Sequence, residues 1–332
     1  MSAQDPSVRT FRRGLWLTTF SSKPGPGDLD LFERTADIAR RAEAAGFDAL
    51  FVMDHFIQLP HFGPSNDPMP EAYTMLSGLA ARTERMKLGA LVTGVTYRNP
   101  ALLAKTVTTL DVISGGRAIL GIGGAWFQPD HDTFGYEFPP AAQRLGRLEE
   151  TLEICRGMFS GAETSFEGKW HRTAGVTNYP APLTPGGPPI LIGGGGEKKT
   201  LRLVAKYADA WNLTLMSPED TRHKIEVLEK HCNETDRDAS TITKTFAGSL
   251  VVADSDQEAQ RWKDAVLQER CVVPSVRPII ATQFIAGGAE RVTEQIGKYL
   301  DVGMDSVVMH IPETDPEAIE RTGAVLRLAL PD

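Results

Sequence analysis

Cysteine is scarce in this chain. Its 332 residues include three, Cys155, Cys232 and Cys271, far apart and odd in number. Such a set does not make a disulfide framework; it fits a reducing cytoplasm, and a catalytic thiol is not expected. Long apolar runs are missing too. The longest are strand-length, which argues against a membrane span. Basic runs are absent and the formal net charge is −8, so nucleic acid is not an expected partner. The opening MSAQDPSVRTFRRG lacks an apolar leader core, and residues 1–12 read as a short mobile tail. There is no HExxH, no GxSxG elbow, no GxGxxG fingerprint and no Gly-Lys-Ser/Thr phosphate-loop ending.

What the chain has is regular alternation. Eight apolar stretches read as strands: GLWLTTF, DALFVMD, MKLGALV, RAILGIG, PILIGG, DAWNLT, TFAGSLVV and DSVVMHI. Each is followed by a segment with helical periodicity or room for one. Their near-continuous apolarity predicts burial on both faces, as a parallel sheet requires. Helix ends run into strands as AGFDALFV, KYADAWNL and VGMDSVVM, so Asp48, Asp209 and Asp305 occupy equivalent entry points and read as structural devices at the strand N-terminal rim. The expected fold is a single α/β domain over 1–332, a (β/α)8 TIM barrel whose site is built by the loops after its strands. The doubly wound open sheet is the rival. Segments 160–187 and 271–288 exceed what a barrel needs and read as insertions, with Gln58–Tyr73 a third long loop.

Three motifs are candidates for function. Gly193, Gly194, Gly195 and Gly196 stand between a strand and a helix expected to begin near Glu197. A helix N-terminus offers free N–H groups, and glycines would let a phosphate reach the backbone. A tight turn that only permits close packing is the other reading. In VMDHF, Asp54 and His55 end the second strand and point in different directions. His55 could exchange a proton near neutral pH, or the pair could merely organise a loop. In GIGGAWFQPDHDTFGYEFP, Gly123 and Gly124 leave space beside Trp126, whose face could pack on a planar ring. Asp130, His131 and Asp132 are consecutive and cannot easily converge on one ion, so no metal is expected.

These stretches, with AEAAGFDALFVMDHF, EAYTMLSGLAARTERMKLGALVTGVTYRNPALLAKTVTTLDVISGGRAILGIGGAWFQPDH and ILIGGGGEKKTLRLVAKYADAWN in order, make the chain resemble the bacterial luciferase-like superfamily over nearly its whole length. In particular it resembles the actinobacterial members that use the deazaflavin coenzyme F420. The resemblance implies a flavin-like ring in the barrel mouth, a cofactor phosphate on Gly193–Gly196 with Glu197 and Lys198 beside it, and His55, accompanied by Asp54, as acid/base near the ring. It implies that Leu91–Val92 is a cis peptide in a bulge backing the ring, with Gly123, Gly124 and Trp126 also against the cofactor. Phe56, Phe127 and His131 are the expected substrate-pocket residues, and a homodimer is expected. One departure stands out: in glucose-6-phosphate-oxidising relatives a glutamate proton donor lies where Trp126 falls here, and no basic residues are assignable to a sugar phosphate. The reading is therefore an F420-dependent oxidoreductase acting on a neutral or aromatic small molecule with an activated C=C, C=N or C=O. An FMN-dependent monooxygenase is the alternative, and a non-catalytic cofactor-binding barrel the third.

Overall fold

The computed structural model describes residues 10–20, 31–312 and 316–331. Eight parallel strands close on themselves: β1 Arg13–Leu17, β2 Ala49–Val52, β3 Lys87–Ala90, β4 Ala118–Gly123, β5 Ile190–Gly193, β6 Ala210–Thr214, β7 Thr243–Val252 and β8 Ser306–His310. The ring closes where β8 pairs with β1 and β6 with β7. All eight match the apolar stretches read from the sequence.

Side chains alternate between two cores, as strand geometry requires. Ala49 and Phe51 of β2 point inward with Ile119, Leu191, Ala210, Ala247 and Val308. Leu50 and Val52 point outward with Leu120, Ile122, Ile190 and Ile192, against the helical layer. The small inward residues make room for Phe51, which meets Phe11 at a ring separation of 5.1 Å. Phe11 is 4% exposed, and the backbone N–H of Arg12 donates to Asp48. Of the expected tail, residues 1–9 lie outside the described residues, whereas Phe11 and Arg12 are anchored at the barrel floor rather than mobile.

The three rim aspartates share one geometry. Asp48 accepts from the N–H of Arg13 at 2.9 Å, Asp209 from that of Ile190 at 2.7 Å and Asp305 from that of Lys244 at 2.8 Å. Each carboxylate precedes one strand and satisfies a free N–H at the start of its neighbour, which would otherwise face the floor unpaired.

Between β3 and β4 the ladder is irregular. Gly89 faces Ile119 and Thr93 faces Ile122, so four steps on one strand match three on the other. This one-residue bulge carries the cis peptide Leu91–Val92.

The insertions divide by position. Segment 160–187 forms a hairpin, Thr164–Glu167 with Arg172–Val176, held to the outside of helix Ala141–Phe159 where Glu150 accepts from the N–H groups of Lys169, Trp170 and His171. It flanks the barrel and does not enter the mouth, since it precedes β5 instead of following a strand. Segment 271–288 does reach the mouth. After helix Asp256–Glu269 it runs through Pro274–Ala281, and its strand Phe284–Gly287 pairs on the outer edge of β7. Arg270 ties it down by donating to Phe62 O and Asp67, and Val272 N–H donates to Pro60 O. Among the described residues no helix is long and apolar enough to cross a membrane, and all three cysteines are buried.

Candidate active site

A cavity of about 770 Å³ opens at the C-terminal ends of the strands, within the range of small-molecule and cofactor sites. Its walls include the ends of β2, β4, β5 and β7, the bulge, the Leu59–Phe62 turn and the 273–283 segment.

Asp54 and His55 separate as their alternation demands. His55 faces the cavity, and its Nδ1 lies 2.6 Å from Asp130 Oδ2. Asp130 is fully buried in the short helix Gln128–Phe134. Its other oxygen accepts from the N–H groups of Phe56 and Ile57 at 3.1 Å each, and Tyr97 OH donates to Oδ2 at 3.1 Å. The carboxylate thus fixes Nδ1 of His55 as the donor and turns Nε2 to the cavity. Burial raises the Asp130 pKa, but the hydrogen bond and charge of His55, with the two N–H groups, outweigh it and hold the group below its ordinary 3.8. A depressed carboxylate adds stability above its unfolded value, lost as pH falls through the lower folded value. The urea midpoint is accordingly expected to fall as pH drops below about 4, and Asp130→Asn should flatten that slope in an equilibrium unfolding series.

Asp54 does something else. Arg98 grips both its oxygens, at 2.7 and 2.9 Å, and Gly94 N–H donates to it at 3.1 Å. Arg98 also reaches Glu71 and lies over the Tyr73 ring. With each oxygen engaged, Asp54 fixes the loop after the bulge and borders the cavity, while the carboxylate bonded to His55 is Asp130, not the neighbouring Asp54 expected to accompany it.

The glycines have individual explanations. A Cβ on Gly123 or Gly193 would come within 2.8 or 2.9 Å of Val92, whose side chain wedges between β4 and β5. Gly194 has φ +124°, a conformation open mainly to glycine, and its carbonyl accepts from Trp211 Nε1. Gly195 would press on Leu213 and Gly196 on Thr200. Close packing thus constrains the run, and Gly193–Gly196 all border the cavity together with Gly123 and Gly124. The following helix begins at Thr200, not near Glu197; residues 197–199 form a turn. Glu197 points away to Lys224 and His223, and Lys198 is exposed. Neither lines the cavity, whereas Thr200 does.

Leu91, Val92, Trp126 and Phe127 line the cavity as expected. Trp126 is 60% exposed at the rim, and it and Phe127 stand edge-on to His55. Two expected pocket residues do not line it. Phe56 packs outward on Tyr97, Phe134 and Tyr136. His131 is fully buried, with Nδ1 on Phe127 O and Nε2 on Thr96 Oγ1, and so serves the loop. His61, absent from the sequence reading, lies in the wall; burial, then the nearby charge of His55, lowers its pKa to about 4.

A closed parallel barrel with a glycine-bordered, aromatic-edged cavity and a carboxylate-held histidine in its mouth defines a cofactor-type enzyme site. The chain belongs to the luciferase-like monooxygenase family, whose model matches residues 12–277. A curated relative from Nocardia farcinica (strain IFM 10152), an F420-dependent glucose-6-phosphate dehydrogenase, is 29% identical over 324 residues, covering 87% of this chain and 94% of the relative. Among solved structures, an F420-dependent secondary alcohol dehydrogenase in complex with an F420-acetone adduct superposes with a TM-score of 0.78 at 20% identity, covering 98% of this chain and 100% of the other. The monooxygenase RslO1 from Streptomyces bottropensis also superposes at 0.78, with 19% identity and coverage of 96% and 98%.

Proposed function

We propose that this protein is a coenzyme F420-dependent oxidoreductase that reduces a small neutral substrate at an activated C=C, C=N or C=O group. F420 dependence is the property of the curated relatives, and the cavity, at about 770 Å³, is large enough for a cofactor ring. Val92 and the cis-peptide bulge form one wall, and Gly124 and Gly195 border the cavity where a side chain would crowd Leu145 and Leu213. Gly194–Gly196 and Thr200 would hold the cofactor's phosphate end. When bound, the coenzyme supplies two electrons and a hydrogen to one atom of the double bond. His55 Nε2 delivers the balancing proton to the other atom and is reprotonated from solvent. Asp130 keeps the ring oriented for this as a positioning residue.

The placement of His55 carries this reading: its one free ring nitrogen faces the cavity between Trp126 and Phe127. Glucose 6-phosphate is not the proposed substrate. Among the described residues lining the cavity, Arg144 is the single Lys or Arg, and it is committed to the carbonyls of Gly124 and Pro139. The test is a titration of apoprotein with coenzyme F420 and, separately, FMN. Tight F420 and weak FMN binding is the expected result. The reverse preference would favour the monooxygenase reading, and binding of neither would favour a non-catalytic barrel.

A further inference from the structure

Across the mouth from the glycines, the ends of β7, β8 and β1 form a different wall. Ser249 faces His310 in the β7–β8 ladder, and its Oγ lies 3.0 Å from His310 Nδ1. Ser249 borders the cavity. His310 is 5% exposed, with Phe62 edge-on to it and its Nε2 buried without a partner among the described residues.

The ring has to place one proton. Burial, then the charges of His61 and Arg270, lowers the His310 pKa to about 3, so the ring is neutral at ordinary pH. A proton on Nε2 would leave a buried N–H unpaired, the rarer and costlier kind of orphan. A proton on Nδ1 donates to Ser249 Oγ and leaves only a lone pair at Nε2. In that arrangement the hydrogen of the Ser249 hydroxyl is not used by His310 and is free to donate into the cavity. Trp16, at the end of the adjacent β1, borders the same wall, and its buried indole N–H has no partner among the described residues. Buried donors without a protein partner call for a water or a ligand acceptor.

Above this wall the 273–283 segment contributes Val273, Val276, Ile279, Ile280 and Gln283, whose carbonyl accepts from Ser249 N–H, and no cation. Ile279 is 63% exposed although it borders the cavity, an apolar surface of the kind a ligand would cover.

We propose that Ser249, oriented by His310, is the hydrogen-bond donor that holds the carbonyl or imine acceptor of a neutral substrate in a largely apolar, cation-free subsite roofed by residues 273–283. This deepens the oxidoreductase reading and rests on it for the word substrate; the binding site itself does not depend on it. Such a subsite admits a ketone, enone or cyclic imine and offers a phosphate no cation.

The test compares cyclohexanone with methylenecyclohexane, which has the same ring but no strong acceptor, by titration calorimetry on apoprotein and on the F420-loaded protein. Native protein should bind the ketone roughly fivefold more tightly, the size of one neutral hydrogen bond. Ser249→Ala should remove that preference while leaving alkene and F420 affinities within about twofold, a change too small for a lost hydrogen bond. Inorganic phosphate should not displace the ketone. Equal binding of the two probes by native protein, equal weakening of both in the variant, absence of ketone binding, or displacement by phosphate would each overturn the proposal. A selective loss of F420 affinity in Ser249→Ala would do so too, by assigning the hydroxyl to the coenzyme. Failure of F420 to bind at all would sink the oxidoreductase reading, yet the probe comparison on apoprotein would still decide the subsite.

Discussion

His55→Ala is expected to lower turnover of an activated alkene, imine or ketone by about 10²- to 10⁴-fold, the usual contribution of a positioned proton donor. Coenzyme affinity should change little. The argument is geometric. His55 Nδ1 is taken by Asp130, Nε2 is the one nitrogen left to meet a substrate, and the aromatic edges of Trp126 and Phe127 shield it. Single-turnover kinetics with pre-reduced coenzyme separates the chemical step from binding. His55→Gln should not restore the rate, because an amide cannot cycle a proton near neutral pH. Full turnover of either variant at saturating coenzyme would remove the acid/base role.

Gly121→Ala is expected to produce the largest loss of stability of any single methyl addition in the barrel. A Cβ there would lie 1.9 Å from the carbonyl oxygen of Ala90. The contact is with backbone, not the end of a flexible side chain, so the strain cannot be relieved by a rotamer change. Ala90 is the last residue of β3, and the bulge that follows turns its carbonyl over β4. Overpacking a core commonly costs about 1–3 kcal/mol, and a clash this deep should exceed that range. Thermal unfolding should show a fall in Tm of more than about 5 °C, since at roughly 2–4 °C per kcal/mol for larger domains even the middle of that range gives such a shift. Gly135→Ala, at φ +73° with open space around it, is the control for backbone strain without a clash. An unfolding temperature for Gly121→Ala no lower than that of the control would show that the bulge yields and does not fix the wall.

Much of this architecture is legible in the sequence because it is local. An Asp before each of three apolar runs marks the floor, and eight buried runs mark the strands, since strand identity depends on neighbours within a few residues. The candidate site is legible only where its residues lie on strand ends. His55 stands out at the end of DALFVMDHF, but its partner Asp130 is 75 residues away. In the sequence it sits inside the run Asp130–His131–Asp132, which invites comparison with metal ligands. Asp54 draws attention because it adjoins His55, yet alternation along the chain sends it to Arg98. Gly193 borders the cavity, but the sequence does not reveal that Val92, from the distant bulge, also packs against it. Ser249 is harder still. A serine in TFAGSLVV reads as an interruption of an apolar strand, and only the ladder that brings His310 beside it gives its hydroxyl a direction.

The mouth is assembled from two sources that scarcely overlap in the chain. The proposed proton donor, the bulge and the glycines come from residues 54–200, whereas the roof and the Ser249–His310 pair come from beyond residue 248, with Trp16 of β1 beside them. Arg270 and Val272 fasten the roof to the turn after β2 through Asp67, Phe62 O and Pro60 O, so the roof is tied to the rim at its N-terminal end. If the proposed roles hold, changes in the roof should alter what the site accepts without touching His55 or its partner Asp130. A library confined to Val273, Val276, Ile279 and Ile280, all of which border the cavity, would vary the roof while leaving the His55–Asp130 pair as it is.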